Sequence, residues 1–343
     1  MSYVHAELSR AYSPLGISAL FRQEISDFKV EEVLSFTPCG SGIHSYLKIR
    51  KEDINTEQVV QYIARSIGIS SGSIGYAGLK DKRAIATQWF SIDMSRVKDI
   101  NWDAFGNNNI RIKLQTRHGR KLRRGAIREN RFDIFLRSVS GDHNEIMKRI
   151  ERISSQGVPN YFGEQRFGSH NLDRALSMFD RRTQVKSVYK RGIYLSAARS
   201  MLFNQVLSER IKRYGWNKAM NGDVLMLNGT NSVFSTQEID EEIHQRLQHG
   251  DIHLTGPMWG SGKPMVSREG LAFELEVLNN YQKWCKGLQQ FGLRQQRRAL
   301  RVIPKNFRCE FTNKNLVRLS FHLPKGSYAT SVLREIADYN QIS

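Results

Sequence analysis

At 343 residues the chain exceeds the roughly 250–300 that one hydrophobic core usually organises, which implies two domains. Lys and Arg total 52 against 33 Asp and Glu, and a net charge of +19 draws polyanions to the surface. No stretch approaches the ~18 apolar residues of a membrane span, no basic amphipathic helix offers a membrane anchor, and the N-terminal MSYVHAELSRAYSPLG has neither an apolar signal core nor a cleavage site. Cys39, Cys285 and Cys309 are too scattered for a disulfide framework or a zinc motif. The composition therefore points to a cytoplasmic nucleic-acid-binding protein and away from a membrane or secreted one. With no Walker A sequence, no GxGxxG after a strand and no metal-ligand spacing among the nine histidines, neither a cofactor nor a metal is expected.

In chain order, FKVEEVLSF at 28–36 and HSYLKIR at 44–50 alternate as half-exposed strands do. Asn55 or Thr56 then caps a helix whose Val59, Val60, Ile63, Ala64 and Ile67 recur at helical spacing, and Gly68 ends it. Residues 73–79 and 87–92 read as strands flanking Lys80-Asp81-Lys82-Arg83, and 110–115 and 132–139 as two more. A helix fits 144–155, with Gly157 after it. The middle is mostly helical: 194–214, 236–249 and 267–290, with a hairpin around Asn228-Gly229 between the first two. The last forty residues return to the mixed strand-and-helix pattern of the N-terminal part, with a strand pair turning at 313–315 and a helix over 327–339. Mixed ends around a helical middle imply a discontinuous domain with an insertion.

Asp81 lies on a connection between two strands, where a carboxylate is held firmly yet exposed, and cations flank it on both sides. From spacing alone it is equally an exposed Asp in a charged turn. Three basic runs are candidates for phosphate contact: 118–131, 181–191, and Arg294, Arg297, Arg298, Arg301 and Lys305, the last two without an acid in sequence. Aromatic side chains stand beside basic ones at Tyr161, Phe162 and Phe167 around Arg166, and at Phe132 next to Arg131. That pairing suits the stacking of unpaired bases, although Phe132 at strand spacing from Ile134 also fits a core. A non-catalytic RNA-binding or RNA-chaperone protein is the competing reading. A metal-dependent nuclease would need several clustered carboxylates, and KDKR supplies one.

GYAGLKDKRAIATQWFSI at 75–92 closely resembles the catalytic motif of the TruD family of tRNA pseudouridine synthases, whose pattern is AG-x-KD, a basic residue, Ala and then TQW. DFKVEE at 27–32, HSYLKIRK followed by NT at 55–56, RKLRRG-x-x-x-x-N-x-F at 120–132, VPNYFGEQRFG at 158–168, SAARSMLFNQ at 196–205 and LPKGSYATSVLRE at 323–335 resemble further blocks of that family, in order over nearly the whole chain. The resemblance implies an α+β pseudouridine synthase fold with a mixed, largely antiparallel sheet, built from 1–157 and 304–343, and an inserted, mostly helical α/β domain at 158–303. It implies isomerisation of uridine to pseudouridine in tRNA, at uridine-13 of the D arm of glutamate tRNA in the bacterial branch. The family's catalytic Asp falls on Asp81 and its base-stacking aromatic on Phe132, with Asn130 in the same block. Its basic residue ahead of DF falls on Arg22, where bacterial relatives often have Lys, and Glu32 belongs to the site region. Lys80, Arg83, Lys121, Arg123, Arg124 and Arg166 are the expected RNA contacts. The expected partner is tRNA alone, with the protein a monomer that needs no obligatory protein partner.

Overall fold

The computed structural model describes residues 8–95, 97, 100–102 and 105–341. Its elements run β1 (Ser18–Phe21), β2 (Phe28–Leu34), β3 (His44–Glu52), α1 (Thr56–Ile67), β4 (Gly75–Tyr76), β5 (Ile85–Asp93), β6 (Gly106–Asn107), β7 (Ile110–His118), β8 (Ile127–Ser140), α2 (His143–Gln156) and β9 (Val158–Pro159). There follow α3 (Asn171–Phe179), α4 (Val188–Tyr214), β10 (Val224–Leu227), β11 (Val233–Ser235), α5 (Glu241–His249), β12 (Ile252–Met258), α6 (Arg268–Asn279), α7 (Gln282–Gln290), β13 (Gln296–Ala299) and β14 (Arg301–Val302). The chain closes with β15 (Lys305–Asn313), β16 (Leu316–Pro324), α8 (Ala329–Leu333) and β17 (Asp338–Gln341). It packs as two units, one of Leu15–Ile150, Pro304–Gly326 and the residues from Ala337 on, the other of the residues up to Pro14, Glu151–Ile303 and Ser327–Ile336. The class is mixed α+β. Among the described residues, no helix is long and apolar enough to cross a membrane.

The first unit is a sheet in the order β15–β16–β8–β2–β5–β3–β7–β6, with β1, β4 and β17 off that path. Neighbours on the path are antiparallel apart from β2 and β5, which run parallel with Lys29 opposite Ile85. The helix read at 56–67 forms because its local signals agree. Asn55 accepts from the Gln58 N–H while Gln58 reaches back to the Asn55 N–H, a reciprocal cap, and Gly68 ends the helix at φ 69°. Its apolar side, Val59, Val60, Ile63 and Ala64, packs on Leu47 and Ile49 of β3 and Phe90 and Ile92 of β5. On the β2–β8 side of the sheet, Phe28 and Val30 register with Ile134 and Phe132, and Glu32 with Asn130. Alternation puts Phe28, Val30 and Glu32 on one face.

The second unit holds α3 to α7 with a four-stranded sheet, β11–β10–β12–β13. The hairpin read around Asn228-Gly229 is β10–β11, Val224 opposite Ser235.

Several expectations differ from what forms. Residues 73–79 give only the two-residue β4, because Ser73 and Ile74 close a 3-10 turn on Ser70 and Ser71 while the carbonyls of Ala77 and Gly78 go to the Gly125 N–H and the Gln88 side chain. The helix over 267–290 is two, broken at Asn280 and Tyr281. The helix over 327–339 is the short α8, after which β17 pairs in parallel with β1, Ser18 opposite Asp338. The helix read from 236 starts at Glu241, where Asp240 caps it by accepting from the Ile243 N–H at 2.8 Å.

Candidate active site

Asp81 sits on the connection from β4 to β5, and the backbone of that connection is tied down by side chains rather than by a strand partner. Gln88 Nε2, on β5, donates to the Gly78 carbonyl at 2.5 Å, and the Lys80 N–H donates to Thr56 Oγ1 in the first turn of α1 at 3.0 Å. Thr56 in turn donates to Gln88 Oε1 at 3.0 Å, which links the two supports. Lys51 Nζ, on β3, donates to the carbonyl of Asp81 itself at 2.5 Å and to that of Ile54 at 2.6 Å. Peptide groups that leave a sheet ladder must find other partners when buried, and here polar side chains of the sheet and of α1 supply them.

The carboxylate of Asp81 points outward from this support, with 26% of its side chain exposed, and Arg22 Nη2 donates to Oδ2 at 2.5 Å. Arg22 follows the last residue of β1 with φ 59°, in the left-handed region, where a non-glycine residue costs of order 1–3 kcal/mol. Its guanidinium lies over the Phe28 ring, 4.2 Å from the centroid, a cation–π contact on its apolar side. Arg22 Nε is buried and makes no hydrogen bond. Backbone strain at a residue held against a partly exposed carboxylate persists only where the surrounding structure over-determines it.

A second pair lies deeper. Lys80 Nζ is 2.8 Å from Glu32 Oε2, with the Glu32 side chain fully buried. Burial pushes the Glu32 carboxyl above its ordinary value while Lys80 pulls it down. Register places Asn130 of β8 directly across from Glu32, and Asn130 Oδ1 is buried without a hydrogen-bond partner. Phe132 is 8% exposed, with its ring 5.9 Å from Phe28 and 5.5 Å from Phe321.

Beside this connection runs the basic segment after β7. Leu122 is buried in a cluster with Ala77 and Trp89, and its N–H donates to Ser91 Oγ at 2.9 Å. The Gly125 N–H donates to the Ala77 carbonyl at 2.7 Å. Gly75 must be glycine for this approach, since a Cβ there would stand 2.4 Å from the Leu122 carbonyl oxygen. So anchored, the segment presents Lys121, Arg123 and Arg124 at the surface, Arg124 over the Tyr76 ring at 4.2 Å. Lys325 joins them, donating to the Gly125 carbonyl at 3.0 Å.

A family profile described as tRNA pseudouridine synthase D (TruD) matches residues 9–178 and 181–336. The chain belongs to the TruD family of tRNA pseudouridine synthases. It is 42% identical over 337 residues to the tRNA pseudouridine synthase D of Methylococcus capsulatus, covering 97% of this chain and 95% of that one. Its identity to the protein of the same name in Colwellia psychrerythraea is 43% over 337 residues, covering 95% and 91%. In fold it matches a crystal structure from Methanosarcina mazei assigned as a tRNA pseudouridine synthase D, with TM-score 0.73 at 22% identity, over 97% of this chain and 96% of the other. As a pseudouridine synthase it is an isomerase.

The TruD blocks scattered along the sequence meet around Asp81: DFKVEE brings Glu32, HSYLKIRK brings Lys51, NT brings Thr56, and TQW brings Gln88. Of the residues expected at the site, Arg22 touches Asp81, while Glu32 and Lys80 form the pair behind it. Lys80 is thus turned inward rather than toward RNA. Arg83 donates to the Gln23 carbonyl at 3.2 Å. Arg166 lies in the second unit, 3.4 Å from Ser200 Oγ and also bonded to Ser196. Its neighbours Tyr161, Phe162 and Phe167 are buried in the second unit, Phe162 against Phe203 and Tyr328.

The third basic run is largely internal. Arg297 forms a buried pair with Glu274 at 2.6 Å, Arg298 donates to Asn160 Oδ1 at 2.7 Å, and Arg301 donates to His253 Nδ1 at 2.9 Å. The run reads as acid-free because its acid, Glu274, sits 23 residues away in sequence. Charge patterning alone misses Lys51, although its place two residues beyond Ile49 in an alternating strand marks it as inward-facing. Among the described residues, no three His, Cys, Asp or Glu side chains gather as they would around a metal ion.

Proposed function

We propose that the chain isomerises uridine to pseudouridine in tRNA, at uridine-13 of the D arm of glutamate tRNA, with Asp81 as nucleophile or base. The observation that carries this reading is the Arg22–Asp81 contact: a partly exposed carboxylate on a braced connection, 2.5 Å from a strained arginine with a spare buried donor. The reaction breaks C1′–N1, forms C1′–C5, releases the C5 proton and protonates N1. It is redox-neutral, so one carboxylate suffices, either attacking the nucleoside or taking a sugar proton and returning it. Turning the uridine out of its stack costs about a few kcal/mol. Phosphate contacts from the exposed Lys121, Arg123 and Arg124 would offset that cost.

In this reading Phe132 offers the base an apolar face, and the unpartnered Asn130 Oδ1 accepts from a uracil N–H. Arg22 donates to a uracil oxygen as charge develops there, and Glu32 holds the back of the pocket. The first unit carries the chemistry, 158–303 forms the inserted domain, and the enzyme works as a cytoplasmic monomer without added cofactor.

The test is tritium release from a glutamate tRNA transcript labelled at uracil C5, for the wild type and Asp81→Asn, with pseudouridine mapped in the product. Release by the wild type alone, with the variant still binding RNA, is expected. Release by both removes Asp81 from the chemistry. Binding without release by either leaves an RNA-binding protein, and a product mapped elsewhere than position 13 overturns the site.

A further inference from the structure

Lys51 occupies a place where a core residue belongs. Leu47 and Ile49 of β3 are wholly buried against α1, and Lys51, next on the same face, is also 0% exposed. A lysine is almost never fully buried without a partner, and burial disfavours its charged form. Both hydrogen-bond acceptors of Lys51 are backbone carbonyls, Asp81 at 2.5 Å and Ile54 at 2.6 Å. Two of the N–H donors of the amine are satisfied by these two carbonyls. Burial pulls the amine down to about 8, with Lys80 acting in the same direction and Asp81 and Asp53 opposing.

The position of these bonds matters more than their number. Gln88 holds the carbonyl of Gly78 and Thr56 the N–H of Lys80, so both grip the chain ahead of Asp81. Of these three supports, Lys51 alone grips the peptide after it, through the Asp81 carbonyl. The Asp81 Cα is thereby bracketed. Without Lys51, the peptide between residues 81 and 82 could rotate and swing the carboxylate away from Arg22. The Ile54 bond ties the same amine to the residue just before the α1 cap, Asn55, so the support stands on a rigid element.

We infer that Lys51 is a positioning residue for Asp81, its buried amine holding the catalytic peptide in the orientation the reaction needs. This rests on the reading of Asp81 as the reacting carboxylate. A displacement of about 1 Å at a reacting group costs ~100-fold in rate, which sets the expected effect.

The experiment compares wild type, Lys51→Met and Lys51→Ala in the tritium-release assay, and wild type with Lys51→Met by amide hydrogen exchange. Lys51→Met, similar in length but without a donor, should lose about 100-fold in kcat with KM for the transcript unchanged within about twofold. Propylamine should restore part of the Lys51→Ala rate, and dimethyl sulfoxide, of similar size but without a hydrogen-bond donor, should not. Exchange in Lys51→Met should quicken about tenfold or more at residues 80–83 while the amides of Ile63 and Ala64 in α1 stay protected. Wild-type kcat in Lys51→Met overturns the inference. So does loss of protection spread equally over α1 and β3, which marks a plain stability role. If the wild type itself releases no tritium, the activity reading fails, and the exchange arm still decides Lys51: loosening confined to 80–83 upholds its hold on the connection, and unchanged exchange there refutes it.

Discussion

Breaking the Glu32–Lys80 pair should destabilise the first unit far more than replacing it. The Glu32 side chain is fully buried and that of Lys80 is 8% exposed, with 2.8 Å between the charges. At an effective dielectric near 20, the attraction at that distance is about 6 kcal/mol, and desolvation of both groups opposes most of it. Glu32→Gln keeps the shape and one acceptor but leaves the ammonium buried beside a neutral amide. The expected loss is about 3 kcal/mol, the lower end of the range for a buried pair broken on one side. Lys80→Met should cost a similar amount, by stranding the carboxylate. The double variant Glu32→Leu/Lys80→Met strands neither charge and should fall within about 1–2 kcal/mol of the wild type.

Because a chain of two packing units need not unfold in one step, the measurement should be local. Hydrogen exchange at the Trp89 amide, which donates toward Glu32 Oε1 at 3.4 Å, reports opening at the pair itself. A Glu32→Gln protein within about 0.5 kcal/mol of wild type at that amide would refute the reasoning, as would a double variant worse than either single one.

Two further outcomes follow from charge placement. For Lys51, the folded value of about 8 lies below the ordinary 10.5, so between those pH values the unfolded chain holds a proton that the folded chain does not. Wild-type stability should therefore rise with pH across that window, relative to Lys51→Met, by up to ~1.4 kcal/mol per pH unit, with the gain absent below about 8; equal slopes in paired urea titrations would contradict it. Arg123→Gln and Arg124→Gln should each weaken binding to the tRNA transcript and flatten the dependence of log Kd on log salt by about 0.7–0.9, and an unchanged slope between 50 and 200 mM salt would place both side chains off the RNA.

What the sequence reveals is what local signals determine. The α1 helix is legible because cap, apolar spacing and terminating glycine agree within fourteen residues, Asn55 to Gly68. The β10–β11 hairpin is legible from Asn228-Gly229 between apolar runs. By contrast β17 pairs with a strand 320 positions away, Ser18 with Asp338, and no local pattern announces that partner. Residues 332–337 carry apolar side chains at helical spacing, so the end of α8 is set by tertiary pairing rather than by propensity. At the site, Asp81 and Arg22 are 59 residues apart, and only the family blocks link them. The inward turn of Arg297 and Lys80 is hidden for the same reason: in sequence both read as cations for RNA, and only the fold supplies Glu274 and Glu32.

These residues share a physical cause. A connection that must hold a carboxylate at the surface cannot be an ordinary strand, because a ladder would commit its peptide groups to a neighbour and fix the side chain by alternation alone. Residues 77–82 leave the ladder, and their peptides then need donors and acceptors from elsewhere. The sheet and α1 provide them with Lys51, Thr56 and Gln88, each buried at a position where an apolar residue would pack better. In a stability reading alone, three polar side chains at the base of a core are defects. They make sense as supports for the segment that holds the Asp81 carboxylate, and breaks in the apolar pattern of β3 and β5 point to that segment more directly than the charged run around Asp81 does.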